Sequence, residues 1–340
     1  MLNQDPLISV IIISHLRKKF IKIAFDSAIN QSLSRDYYEV IVIKNFIDRD
    51  IDSYIENNGG KNVYTDAQPL GDKCLIGTEN SNGKILVFLE DDDLLVYEKL
   101  QRILEAFEME NVVYFHNNHS LINQDGRIID GHMFPEVKKV MTLKLDSTSY
   151  KEIGWILRHG GSFNLSSIAV KSSILINHLS YLKGMNVAVD NFMFYIALAS
   201  NGYLRMDSQI LTLYRLHGEN SSLPADNDTN FLLTRAKDFL ESDIYGYSSI
   251  FDAVNDPFIR HVVQCRILAP KINMHIIDKS SAFIAASDYG EALKCGIRMK
   301  NKEILILLVV DLFSRRYKYI GRYLYGQYLR RRSDSLSMKI

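Results

Sequence analysis

Hydrophobic residues in the first third of the chain come as short runs separated by stretches with helical spacing. Ile8 to Ile13 reads as a strand, Lys19 to Gln31 as a helix and Glu39 to Ile43 as a second strand, which together make a β-α-β unit. Ile51 to Asn57 continues as a helix closed by Asn58-Gly59-Gly60, followed by a strand over Asn62 to Thr65, a helix over Lys73 to Ser81 and a strand over Ile85 to Leu89. Strands alternating with helices at this spacing predict an α/β fold: a Rossmann-like, mostly parallel central sheet with helices on both faces and ligands at the strand C-termini. Beyond it the pattern predicts a helix over Leu95 to Glu108, strands over Val112 to Phe115 and Ser120 to Ile122, and a turn at Gln124-Asp125-Gly126-Arg127. A strand over Ser166 to Val170, a helix over Phe192 to Ala199 and a strand over Gln209 to Tyr214 follow. Past Pro224 the pattern is helical only: Thr229 to Glu241, Ile259 to Leu268, Ser280 to Ala286, Tyr289 to Met299 and Glu303 to Phe313. We therefore expect a domain over 1–222, with halves at 1–93 and 94–222, and a helical C-terminal region over 223–340.

The apolar run Ile85-Leu86-Val87-Phe88-Leu89 stops on four acidic residues, Glu90-Asp91-Asp92-Asp93. Carboxylates crowded at the end of a buried strand repel one another unless a cation neutralises them, and hard oxygen ligands suit Mn2+ or Mg2+ carrying a phosphate. The plainer reading is a solvated acidic turn that opens the next helix.

Composition narrows the field. With 340 residues and 47% hydrophobic content the chain can bury a real core, and 40 basic residues against 40 acidic ones give no sign of a nucleic-acid partner. Cys74, Cys265 and Cys295 are widely separated and lack a C-x-x-C spacing, an arrangement that argues against a disulfide framework or a zinc site and fits a reducing, cytoplasmic setting. The N-terminus has no basic region of the signal-peptide kind, and the apolar run Ile304 to Val310 is too short to span a bilayer.

Several segments, in order, resemble the family 2 glycosyltransferases of GT-A fold. Ser9-Val10-Ile11-Ile12-Ile13-Ser14-His15-Leu16-Arg17 resembles the family's opening strand and loop, keeping the small hydroxyl residue and the arginine. Gly83-Lys84-Ile85-Leu86-Val87-Phe88-Leu89-Glu90-Asp91-Asp92-Asp93 resembles the family's metal-motif segment, and Tyr214-Arg215-Leu216-His217-Gly218-Glu219-Asn220-Ser221 its closing signature.

The resemblance implies a nucleotide-sugar donor held by Ser14, His15, Arg17, Lys44, Asn45, Asp72, Lys73, Glu90 and Asp91. It implies a metal on Asp92 with Glu90, His217 as a further ligand, and Asp190 as general base. Departures are equally visible. Lys44-Asn45 stand where an aspartate pair is usual, which puts a uracil contact in doubt; Asp72 is an alternative reader of the base, and Lys73 can meet a diphosphate as a point charge. Asp190-Asn191 replaces a Glu-Asp pair. Asp190 also suits a helix N-cap, and His217 also suits a structural role in a loop. Trp155 suits either an acceptor sugar face, with Asn191, or the core.

Together these imply an inverting, metal-dependent transferase acting on a hydroxyl of a saccharide or lipid-linked saccharide. The alternative is a degenerate nucleotide-sugar-binding or scaffold protein. An aspartyl-nucleophile phosphatase should open on its acidic motif, and a nucleotidyltransferase should open on a glycine-rich loop; this chain does neither. The basic, tyrosine-rich tail from Arg315 to Arg332 has the makeup of an interfacial helix on an anionic membrane, or of a helix packed on its own domain.

Overall fold

The computed structural model describes residues 6–144, 149–217, 229–280 and 284–316, with 323, 325 and 326. The chain divides into two compact units, one built from residues 1–122, 126–148 and 156–215 and the other from 123–125, 149–155 and 216–340.

The first unit is organised by one sheet with the strand order β3-β2-β1-β4-β9-β6-β10-β5. These strands are β1 (Ile8–Ile13), β2 (Tyr38–Lys44), β3 (Lys61–Tyr64), β4 (Ile85–Glu90), β5 (Leu94–Leu95), β6 (Val112–Ile122), β9 (Ile168–Lys171) and β10 (Tyr203–Arg215), while β7 (Ile128–Ile129) and β8 (Met141–Leu143) pair outside this path with β6 and β10. β1, β2, β3 and β4 are mutually parallel; β9 runs against both β4 and β6, and β10 is parallel to β6. Strands β3, β2, β1, β4, β6 and β10 therefore share one direction, and the expected mostly parallel sheet is present.

The central strands are buried on both faces because they lie between two helical layers. Val10 and Ile12 of β1, Val40 and Val42 of β2 and Val87 and Leu89 of β4 form one core with Phe25 of α1 (Ile21–Ile29), Ile51 and Ile55 of α2 (Arg49–Asn57) and Ile103 of α4 (Lys99–Phe107). On the opposite face Ile11 meets α3 (Leu70–Glu79), where a Cβ at Gly77 would lie 2.4 Å from the Ile11 side chain. α2 starts on Asp48, whose carboxylate accepts from the Ile51 N–H at 3.2 Å.

Several element boundaries correct the sequence expectation. Val112 to Phe115 and Ser120 to Ile122 are parts of one strand, because the polar stretch His116-Asn117-Asn118-His119 between them is buried rather than turned out to water. Asn118 donates to the carbonyls of Val137 and Ser208 at 2.9 and 2.8 Å, and His116 Nε2 donates to that of Phe163 at 2.9 Å. α3 begins at Leu70, and α4 begins at Lys99 because Leu94 and Leu95 are drawn into antiparallel pairing with β10. The remaining helices of this unit are α6 (Ser172–Ile176) and α7 (Val189–Leu198), the latter with Phe192 to Leu198 all buried. α5 (Tyr150–Arg158) has residues in both units.

The second unit contains α8 (Thr229–Ala253), α9 (Pro257–Ile277), α10 (Ala286–Arg298) and α11 (Lys302–Arg316). Among the described residues, the segment expected to be helical from Ser280 becomes helix at Ala286. Buried Asp311 of α11 ties three helices together, accepting from the Tyr289 hydroxyl of α10 and pairing with His275 Nδ1 of α9 at 2.8 Å. Cys265 of α9 and Cys295 of α10 are joined by a disulfide with a Cα–Cα distance of 5.7 Å. This corrects the expectation that the cysteines are unbridged: helix packing sets that distance, and sequence separation carries no information about it. Among the described residues, no helix is long and apolar enough to cross a membrane. The tail expected to contact a membrane lies almost entirely outside the described residues, as do Gly218 to Ser221 and the expected boundary at 222.

Candidate functional site

Register brings the candidate residues to one sheet edge. Ile13 is level with Ile43 of β2 and with Glu90 of β4, so the residues that follow all emerge together. The ladder continues into the loops, with Ser14 N–H donating to the Ile43 carbonyl at 2.8 Å and Asp91 N–H to the Ile13 carbonyl at 3.1 Å. Ser14-His15-Leu16-Arg17 then wraps the acidic cluster. Ser14 Oγ donates to Asp91 Oδ2 at 2.5 Å, and the His15 N–H reaches the same oxygen at 3.3 Å. Arg17 spans two carboxylates, donating from Nη2 to Asp91 Oδ1 at 2.7 Å and from Nη1 to Asp92 Oδ2 at 2.6 Å. Leu16, with φ 57°, turns the loop back, and its N–H donates to Asn45 Oδ1 at 2.8 Å. A non-glycine residue in the left-handed region costs about 1–3 kcal/mol. Asn164 (φ 66°) and Ala188 (φ 65°) are also left-handed and lead into other site segments.

The cluster is electrostatically loaded. Burial pushes Glu90 well above the carboxylate range; Asp92, Asp93 and Asp190 reinforce the shift and Arg17 opposes it. Burial raises Asp91 to about 6 against the pull of Arg17. Asp93 is pushed up to about 8 by burial and by Asp92, although the Arg215 N–H holds its Oδ1 at 2.9 Å. Burial alone would lower the Arg17 guanidinium, but Asp91, Asp92 and Glu90 hold it above its ordinary value. Such mutually repelling, desolvated carboxylates form an all-oxygen set that fits a hard divalent cation.

Lys73 is buried in α3 and donates to the Ser14 carbonyl at 3.0 Å and to His15 Nδ1 at 2.8 Å. Burial lowers it to about 8, and His15 is lowered by burial and by the cations Lys73 and Arg17. Asn45 Nδ2 donates to Gln68 Oε1 at 3.3 Å. Lys44 pairs with Asp52 of α2 at 2.7 Å, and Asp72 accepts from the Gly184 N–H at 3.1 Å.

Asp190 stands in the first turn of α7, and the N-cap position belongs to Ala188. Its Oδ1 accepts from the Asn191 backbone at 2.8 Å and from Asn191 Nδ2 at 2.9 Å; Oδ2 accepts from the Asn164 N–H at 3.2 Å. Burial raises its pKa despite these donors, and its charge is felt by Glu90. Asn191 Oδ1 in turn accepts from Ser162 Oγ at 3.0 Å. Trp155, half-buried on α5, and buried His217 belong to the second unit.

The structure adds residues that sequence reasoning missed. Arg215 is fully buried, its Nε donating to the Asp92 carbonyl at 2.7 Å, so it pins the cluster's backbone. Its place in the Tyr214-Arg215 signature was the available signal. Ser166 Oγ accepts from the Glu90 N–H at 3.0 Å. Lys99 donates to the Ser166 carbonyl at 2.5 Å and to Thr212 Oγ1 at 2.8 Å, and burial lowers it to about 7 with Asp93 opposing. Nothing in the sequence around Lys99 distinguishes it from a surface lysine at a helix start.

Residues 9–159 match the profile described as glycosyl transferase family 2. An uncharacterized glycosyltransferase of Rickettsia bellii is 27% identical over 146 residues, covering 39% of this chain and 21% of that protein. A second, from Rickettsia felis, is 30% identical over 70 residues, covering 18% and 12%. The chain thus matches about a fifth or less of the length of these curated relatives. Among solved structures, S. aureus TarS 1–349 aligns with a TM-score of 0.58 at 14% identity, covering 96% of this chain and 91% of that one. The same protein in complex with UDP-GlcNAc aligns with a TM-score of 0.59 at 15% identity, with the same coverage. Those likenesses establish a GT-A-like α/β fold, and the matched segment, which carries the β1 loop and the acidic cluster, is similar to glycosyl transferase family 2.

Proposed function

We propose that this protein is an inverting, metal-dependent glycosyltransferase that moves one sugar from a nucleotide-sugar donor to a hydroxyl of a saccharide or lipid-linked saccharide. The observation that carries the reading is the convergence of Glu90, Asp91, Asp92 and Asp93 with Asp190 at one sheet edge, bordered by the cations Arg17 and Lys73. Asp92 and Glu90 are the residues proposed to hold Mn2+ or Mg2+; bound there, the ion supplies Lewis-acid stabilisation of the departing diphosphate. The UDP-GlcNAc named for the TarS complex is the donor chemistry we carry to this chain, with Asn45 and Asp72 taking the place of the usual aspartate pair near the base.

Within this reading Lys73 and Arg17 meet the diphosphate, and Ser14 and His15 fix the loop that presents them. Asp190 accepts the proton of the acceptor hydroxyl as that oxygen bonds to the anomeric carbon and the glycosyl–phosphate bond breaks. A raised pKa makes Asp190 a stronger base than a free aspartate. The absence of a covalent intermediate in this scheme entails inversion. Asn191 is a proposed acceptor contact, and the basic tail is the segment proposed to meet an anionic cytoplasmic leaflet.

A thermal-shift panel of UDP, GDP, dTDP and CMP and their sugars, with and without Mn2+ or Mg2+, tests the donor. Stabilisation by one nucleotide that vanishes with EDTA and in Asp92→Ala supports the reading. No metal-dependent shift for any nucleotide favours a degenerate binding or scaffold protein.

A further inference from the structure

The C-terminal helical unit holds a second constellation of metal-ligating side chains, unrelated to the acidic cluster. His261 and Cys265 are four residues apart on α9, and Glu291 and Cys295 are four residues apart on α10. An i, i+4 pair shares one helix face, so each helix presents one nitrogen or oxygen ligand and one sulfur toward the other. His261, Cys265 and Cys295 offer ligand atoms that all lie within 4.8 Å of one another. Glu291 Oε1 sits 2.5 Å from His261 Nε2.

We propose that, with Cys265 and Cys295 as thiols, His261, Cys265, Glu291 and Cys295 form a tetrahedral Zn2+ site, so that this unit has a disulfide form and a zinc form that exclude one another. Zn–S and Zn–N bonds of about 2.3 and 2.0 Å at a tetrahedral angle place two ligand atoms of one ion roughly 3.3–3.8 Å apart. Side-chain rotations of about 1 Å therefore bring the three-residue set within range, with the two sulfurs moving apart as the bridge opens. A disulfide by itself has no use for a neighbouring imidazole that is itself paired with a carboxylate.

The surroundings suit a metal ligand. The Tyr150 hydroxyl stands 2.7 Å from His261 Nδ1. When Nε2–H donates to Glu291, Nδ1 accepts from the Tyr150 O–H; when Nε2 ligates zinc, Nδ1–H donates to the Tyr150 oxygen, the outer hydrogen bond that orients a metal-bound histidine. Two thiolates, a carboxylate and Zn2+ leave one excess negative charge. Lys294, 3.3 Å from Glu291 Oε2, and Arg298, 5.5 Å from the Tyr150 ring centre, lie near enough to offset it. The cysteines are buried while the His261 and Glu291 side chains are 24% and 25% exposed, which leaves an entry path.

Conversion needs a dithiol reductant. Its two thiols become a disulfide, and two electrons with two protons pass to the Cys265–Cys295 bridge to give two Cys–SH groups. Zn2+ then displaces those two thiol protons to solvent, with no further electron transfer.

The test uses the full chain, reduced with dithiothreitol, desalted anaerobically and titrated with Co2+ and then Zn2+. We expect one Co2+ per reduced chain with a thiolate-to-cobalt charge-transfer band and tetrahedral d–d bands, bleached by one equivalent of Zn2+, and neither band in the disulfide form. The carboxylate cluster of the first unit cannot produce the sulfur band, so the two sites are distinguished. Cys74→Ser should retain the spectrum, Cys265→Ser should lose it, and His261→Gln should weaken Zn2+ binding at least about tenfold against a chromophoric chelator. Absence of the sulfur band in the reduced wild-type chain, or its persistence in the Cys265→Ser/Cys295→Ser variant, overturns the proposal. The wild-type measurement decides it whether or not a variant folds.

Discussion

Replacing Arg17 by leucine should destabilise the first unit by an amount that depends on pH. Arg17 is the cation that bridges Asp91 and Asp92, and Asp91 is 1% exposed, so the variant strands a buried carboxylate. Asp91 can escape that cost by taking up a proton. Its folded pKa is raised to about 6 even with Arg17 lowering it, and without the guanidinium it rises further. For a carboxylate with a raised folded value, the folded state binds the proton more tightly than the unfolded chain. Stability is therefore lost as pH rises from the unfolded value near 4, and in the wild-type protein this loss levels off above about 6. In Arg17→Leu it continues to higher pH. One pKa unit is worth about 1.36 kcal/mol, so the two units between about 6 and pH 8 cap the Asp91 part of the loss at about 2.7 kcal/mol. At pH 5, where Asp91 is mainly protonated in both proteins, that part falls close to zero. The assay is urea unfolding in EDTA at pH 5 and pH 8, followed by hydrogen-exchange mass spectrometry on β1 and β4 peptides so that the first unit's transition is read separately. An Arg17→Leu effect of equal size at the two pH values would refute the reasoning. So would an Asp91→Asn background that left the pH dependence of Arg17→Leu intact.

Three further outcomes follow from the same geometry. Asp190→Asn should keep metal-dependent nucleotide binding within a few-fold and reduce transfer by about 10²–10⁴; transfer at the wild-type rate removes Asp190 as the base. Because protons compete with a cation for carboxylates raised to about 6 at Asp91 and about 8 at Asp93, Mn2+-dependent donor binding should tighten from pH 5.5 to 8 and release protons at pH 7. Calorimetry in two buffers of different ionisation enthalpy checks this, and identical heats would contradict it. A Cβ at Gly71 would lie 2.1 Å from the Leu182 carbonyl oxygen, a backbone atom that cannot swing aside, so Gly71→Ala should cost about 1–3 kcal/mol and perturb Lys73 two residues later. A melting temperature equal to wild type would show that α3 shifts freely.

The site was legible where its chemistry lies in contiguous residues. Glu90 to Asp93 at the end of an apolar run could be read because a buried strand delivers its last residues to one sheet edge, whereas Ser14 to Arg17 and Asp190 were singled out by the resemblance to family 2 glycosyltransferases. Lys99 and Ser166 were not legible, since each matters only through a partner far away in the chain: the Lys99 ammonium is held by the Ser166 carbonyl and by Thr212. The strand through His116 to Asn118 shows the same limit from the other side. Four polar residues in a row read as a break, and only the fold shows the partners that hold two of them inside, Phe163 for His116 and Val137 with Ser208 for Asn118.

What the sequence determined by itself was the alternation of strands and helices and the residues at each strand's end, because periodicity and burial are local properties of the chain. Register, the antiparallel insertion of β9, the grip of Arg17 on two carboxylates and the meeting of Cys265 with Cys295 belong to the tertiary structure alone. Each depends on the distance between residues tens of positions apart, and only packing sets that distance.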